Sequence, residues 1–156
     1  MKKLKMYPIF KHQSGQSLVE LAISLTVILM LLSGAVDFGM AFFTYTALRD
    51  AAQEGALYGS FNPDPASLSD IEDRVRNSST NPVNLADTSK VHVVISWTNG
   101  PSAACQGSVG GITNGIKVSV SYNYPIIMPF LGTIIGSQTI PLNATVTDTI
   151  LSPMCS

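Results

Sequence analysis

The chain has 156 residues, of which 46% are hydrophobic and only 12% charged, and its net charge is −1. That length suits one domain plus an anchor rather than two independent domains, and the composition tilts toward a membrane-inserted protein. A charge so close to zero excludes the strongly basic balance of a nucleic-acid binder.

The distribution of charge says more than its total. Lys2, Lys3, Lys5 and Lys11 all precede the first apolar run with no acid among them, whereas from Gln16 onward five Lys or Arg face all ten acids. Positive charge ahead of an apolar segment keeps that end in the cytoplasm and sends the downstream chain outside. Residues 1–15 therefore read as a cytoplasmic basic leader.

Between Glu20 and Asp37 lie sixteen uncharged residues, LAISLTVILMLLSGAV, which Leu18 and Val19 extend backwards. A bilayer core takes about 20 apolar residues, so the span closes only with Glu20 near one edge and Phe38, Met40, Ala41, Phe42 and Phe43 continuing the helix. No proline occurs between Phe10 and Asn62. One transmembrane and extended helix is thus predicted over residues 16–59, about 66 Å long at 1.5 Å per residue. A cleaved secretory signal is the rival reading, with Ser33-Gly34-Ala35 as a small-x-small site. The long leader and the acid at the head of the run weigh against cleavage near Ala35.

The outer half of this helix repeats small residues at spacings of three and four: Ala47, Ala51, Ala52, Gly55, Ala56 and Gly59. Such a stripe lets another backbone approach closely. It serves either packing against the chain's own domain or packing between subunits, while Arg49, Asp50, Gln53 and Glu54 mark the wetter face.

Glu20 is the anomaly, since an ionised carboxylate entering lipid is costly unless paired, hydrated or interfacial. A cut between Gly15 and Gln16 would make it the fifth residue of the mature chain, one helical turn from a new N-terminal ammonium. Gly15-Gln16-Ser17-Leu18-Val19-Glu20 followed by an apolar helix resembles the class III signal read by prepilin peptidases. With Asp37-Phe38-Gly39, Tyr45, Ala47-Leu48, Ala51-Ala52 and Glu54-Gly55-Ala56, the stretch resembles the TadE-like pseudopilin family of tight-adherence (Flp-type) pilus systems. The resemblance covers roughly residues 14–59. It implies cleavage after Gly15 by a dedicated aspartic peptidase, residence in the cytoplasmic (inner) membrane, and a role in pilus assembly, secretion or adhesion. The implied partners are the membrane, the prepilin peptidase, other pilin or pseudopilin subunits and the pilus assembly platform. Major pilins of such systems are short and tend to carry Tyr after the motif Glu. Leu21 stands there in this chain, and a domain of about a hundred residues comes after the helix, which favours a minor, pseudopilin-like component.

Residues 60–156 form the outer domain. Asn62-Pro63-Asp64-Pro65 ends the long helix. A short helix, Asp70 to Asn77, comes next with Ser67 or Ser69 as its cap. Val91–Trp97 reads as a strand, and a Gly/Ser-rich loop containing Cys105 runs on to Gly115. Ile116–Tyr124 alternates Ile116, Val118, Val120 and Tyr122 against Lys117, Ser119 and Ser121, the mark of a half-buried strand. Pro125–Gly136 is an apolar connection that serves as core or touches lipid headgroups or a partner. Ile140–Ile150 alternates Leu142, Ala144 and Val146 against Asn143, Thr145 and Thr147. The predicted fold is α+β, a long N-terminal transmembrane helix continuing into a small domain with an antiparallel sheet of about three strands. One apolar sheet face needs a cover, and the outer helix is the candidate.

Cys105 and Cys155 both fall outside the cytoplasm, where a disulfide is chemically allowed; pairing would add about 2–4 kcal/mol. Neither cysteine has metal-ligand spacing, and no cofactor is called for. No catalytic constellation is visible: His92 has solvent-side strand spacing, Asp70, Glu72 and Asp73 suit a helix start, and neither a phosphate loop nor a nucleophile elbow occurs. The chain is read as an assembly component rather than an enzyme. A signal-anchored surface protein with a partner-binding outer domain is the alternative, as is a secreted protein cut near Ala35.

Overall fold

The computed structural model describes residues 14–100, 103–106, 108–109, 112–128 and 131–151. The leader before Ser14, Phe130 and Cys155 lie outside the described residues. The absence of proline over the apolar segment has the predicted consequence: one helix, α1, runs from Ser14 to Phe61. It ends where Asn62 donates from both its backbone and side-chain amides to Tyr58 O, each at 3.1 Å. The orphan carbonyl of Ser60 accepts the backbone N–H of Leu151 at 2.9 Å, one of the ways a helix C-terminus is satisfied.

By its internal contacts the chain divides into two compact units, Met1–Val36 and Asp37–Ser156. In the first, the described side chains of α1 are largely exposed, Leu18 at 66% and Leu31 at 70%, as befits a helix whose apolar surface has lipid for a solvent. It is long and apolar enough to cross a membrane.

The second unit begins within α1. After α1 come a 3-10 turn, Pro65–Ser67, and helix α2, Leu68–Asn77. Strand β1 is Val91–Trp97, and β2 (Ser108–Val109) and β3 (Ile112–Thr113) form a small antiparallel ladder. Strand β4, Gly115–Pro125, leads through helix α3, Leu131–Ile135, to β5, Thr139–Thr149. Among the described residues the main sheet has three antiparallel strands in the order β1-β4-β5, with Val93 opposite Val120 and Val120 opposite Ala144. The fold is α+β. Two details differ from the sequence reading. The Gly/Ser-rich stretch contains the β2–β3 ladder, and Ser67 makes no side-chain cap for α2. Its hydroxyl instead donates to Asn62 O and Asp64 O, while Asp64 caps the 3-10 turn by accepting Ala66 N–H at 2.9 Å.

Strand β4 lies antiparallel along α1, with Ile116 beside Gly59, Val118 beside Gly55 and Tyr124 at Asp37. From Asp37 to Gly59 is about 33 Å of helix, against about 27 Å of strand from Ile116 to Tyr124. The Tyr124 side chain spans the shortfall. Leu48, Ala52 and Ala56 of α1, Ile71 and Val75 of α2, and Val91, Ile116, Val118 and Val120 of the sheet are all fully buried in one core. Burying each large member is worth about 1.5–3 kcal/mol. The opposite face of the β4–β5 pair is polar, and Ser119 and Thr145 share a hydroxyl hydrogen bond across it at 2.9 Å.

Candidate functional site

The expected processing motif lies at the start of α1. A Cβ at Gly15 would meet nothing within 4 Å, so the glycine is not there for packing. Gln16 and Glu20 sit one turn apart, and the Gln16 side-chain amide donates to Glu20 Oε1 at 3.3 Å. This places position 16 on the same face as the Glu20 carboxylate, the geometry that a cation starting the chain at position 16 would need.

The small-residue stripe divides in two. Ala51, Ala52, Gly55, Ala56 and Gly59 are buried, and the two glycines face Val75, Ile71, Val118 and Ile116 of the same domain. Ala47 is half-buried and lines, with Met40, Phe43 and Ala51, an open groove of about 940 Å³ between α1 and the segment 77–82. Glu54 and Arg74 face each other at its edge at 3.8 Å, both well exposed, an ion pair worth about 0–1 kcal/mol. Cys105 is half-buried and disulfide-bonded; its expected partner, Cys155, lies outside the described residues. His92 is exposed on β1. Among the described residues no group of three or more His, Cys, Asp or Glu side chains is poised to hold a metal ion.

A further polar centre was not foreseen. Asp37, the acid that ends the uncharged run, is 6% exposed. Its Oδ1 accepts the Tyr124 hydroxyl at 2.9 Å, and its Oδ2 accepts the backbone amides of Ile127 at 3.1 Å and Met128 at 3.0 Å. Hydrogen bonds to an ionised acceptor are about twice as strong as neutral ones. The carboxylate therefore clasps the end of β4 and the start of the apolar connection to the first residue of the second unit. Phe38 beside it is 75% exposed, so the clasp separates a buried acid from an outward aromatic ring.

Burial, and then the hydrogen bond to Asp37, raise the Tyr124 phenol from 10.0 to about 12. The neutral phenol contributes its stabilisation fully below its ordinary value, and that contribution is lost as pH climbs through the raised one. Phenolate absorbance followed against pH should show a late-titrating step, and Tyr124→Phe should remove it. A wild-type titration without a late step would contradict the clasp.

Residues 15–57 match the family model described as TadE-like protein. The match takes in the Gly15–Glu20 motif, the uncharged run, Asp37 and most of the small-residue stripe. No curated protein and no solved structure matches the chain.

Proposed function

We propose that this chain is a pseudopilin-like (minor pilin) component of a tight-adherence pilus or a related secretion assembly, processed by a prepilin peptidase after Gly15. The observation that carries the reading is the TadE-like match over residues 15–57, because it unites the Gly15-Gln16…Glu20 motif with a helix long enough to span a bilayer. In this reading the N-terminus lies on the cytoplasmic side of the inner membrane and the domain from Asp37 onward lies outside. Cleavage would create an ammonium on Gln16, one turn from Glu20. The pair would neutralise two charges that lipid penalises by about 2.5–3.5 kcal/mol each near the bilayer centre. An acid offered to a neighbouring subunit's N-terminus couples insertion to stacking, and the disulfide at Cys105 suits the oxidising outer side.

Mass spectrometry of the N-terminus, on protein purified from membranes of a cell with its cognate peptidase, tests the reading. A chain starting at Gln16 supports it. A start at Met1 would leave a signal-anchored surface protein. A start near Val36 would remove the anchor and leave a secreted domain that still contains Asp37. Glu20→Ala should be cleaved normally yet enter the assembly at least about tenfold less well, the loss of an ion pair in lipid. Wild-type incorporation of that variant would remove the role assigned to the acid.

A further inference from the structure

The same tripeptide occurs twice in the sequence, as Thr98-Asn99-Gly100 and as Thr113-Asn114-Gly115. The fold brings the two copies together where β1 ends and β4 begins. Thr98 N–H donates to Gly115 O at 2.9 Å, and Gly115 N–H donates to Thr98 Oγ1 at 2.9 Å. Asparagine followed by glycine is open to a reaction that needs no enzyme. The glycine nitrogen attacks the side-chain carbonyl carbon, ammonia leaves, and water opens the cyclic imide to aspartate or its backbone isomer. Glycine hinders the ring closure least, because it has no Cβ and the freest backbone.

The two asparagines meet this reaction in different states. Asn114 is 0% exposed and its side chain is engaged at both ends. Its Nδ2 donates to Ala103 O, while its Oδ1 accepts from Thr98 Oγ1 at 3.0 Å and from Asn99 N–H at 3.2 Å. The attacking nitrogen is held too, since Gly115 N–H is bonded to both Thr98 Oγ1 and Asn114 Oδ1. Space around it is tight, with Asp148 O only 2.8 Å from where a Cβ on Gly115 would stand. Asn99 is half-buried. Its Nδ2 is shielded from water yet donates to nothing, an unmade hydrogen bond that raises the energy of the starting amide. Departure of that nitrogen breaks no hydrogen bond. Gly100 N–H makes a single bond, to Trp97 O at 3.2 Å, the long end of the normal range. A Cβ on Gly100 would meet nothing within 4 Å, which leaves room for the ring.

We propose that Asn99 is a site of spontaneous deamidation, and that the same junction protects Asn114. A bond forms between Gly100 N and Asn99 Cγ as the bond from Cγ to Nδ2 breaks. The Gly100 amide proton passes to solvent hydroxide, and the departing nitrogen leaves as ammonia. Hydrolysis of the imide consumes one water, no electrons change hands, and the chain gains a negative charge at position 99. A carboxylate then stands where the nitrogen reached neither water nor a partner, so conversion weakens the junction of β1 and β4. The inference stands apart from assembly and processing.

The wild-type chain in detergent, held folded in mildly alkaline buffer, provides the test. Samples taken over time are digested, and tandem mass spectrometry locates the amide-to-acid mass gain at Asn99 or at Asn114. Conversion at Asn99 is expected to be at least about tenfold faster, because closure at Asn114 must first break its hydrogen bonds. The same chain unfolded in guanidinium is the control. There the two sites should convert at similar rates, since an identical tripeptide surrounds both. Equal rates in the folded chain, or faster conversion at Asn114, would overturn the proposal. A preference for Asn99 that is just as large in the unfolded chain would overturn it as well, by assigning the difference to sequence rather than to the fold.

Discussion

Asp37→Ala should lower the stability of the domain from Asp37 onward by about 3 kcal/mol, the loss of hydrogen bonds to a buried ionised group at about 1.5–3 kcal/mol each, offset where water reaches the freed amides. The Tyr124 hydroxyl bears the larger share, since Tyr124 is only 5% exposed. Asp37→Asn separates charge from geometry. An asparagine can turn its oxygen to the amides of Ile127 and Met128 and donate from its nitrogen to the Tyr124 oxygen, which accepts as well as donates. It retains the bond count and loses only charge assistance, so about 1 kcal/mol is expected. Denaturation of the full chain in detergent, followed by Trp97 fluorescence, gives the ranking. Amide hydrogen exchange at Ile127 and Met128 gives the location, and should rise first there in the alanine variant. An alanine variant as stable as wild type would show that the clasp closes without strengthening the fold.

The sheet was legible because its signal is local. Leu142, Ala144 and Val146 alternate with Asn143, Thr145 and Thr147, and a period of two needs no knowledge of the rest of the chain. The helix was legible for the same reason, as was its end at Asn62-Pro63. The β2–β3 ladder was not, because two residues per strand cannot show a period. Asp37 was visible as the acid ending an uncharged run, yet its role was not. Its partners lie 87, 90 and 91 residues away, and two of the three donors are backbone amides. Any residue but proline supplies such a donor, so no side-chain pattern marks them. Ser67 was read as a candidate cap because a hydroxyl suits a helix start, and only the backbone path shows that it turns back to Asn62 O and Asp64 O instead. The small-residue stripe was legible as a close-approach surface but not in its partner, since the same spacing serves a neighbouring strand or a neighbouring subunit.

Gly59 decides that last question by experiment. A Cβ there would collide with Ile116 Cδ1 and come within 3.2 Å of Ile71 Cδ1, two fully buried branched side chains with little room to yield. Gly59→Ala combines a gain of about 1 kcal/mol in helix propensity with an overpacking cost of about 1–3 kcal/mol, so a modest net loss is expected. Gly59→Leu forces three more carbons into the same space and should cost more than about 3 kcal/mol, at the upper end of overpacking effects. Gly39 is the control within the same helix, because a Cβ there meets nothing within 4 Å. Gly39→Ala should be neutral or stabilising by up to about 1 kcal/mol. The measurement is the denaturation midpoint of dilute, detergent-solubilised protein whose monomeric state has been checked. If Gly59 packs within its own domain, the leucine variant unfolds far earlier as a monomer, with no partner present to be lost. A leucine variant that unfolds with wild type as a monomer, and fails only in assembly, would move Gly59 from the core to a subunit interface. It would also return the outer half of α1 to the assembly, leaving the sheet without the helix that covers it.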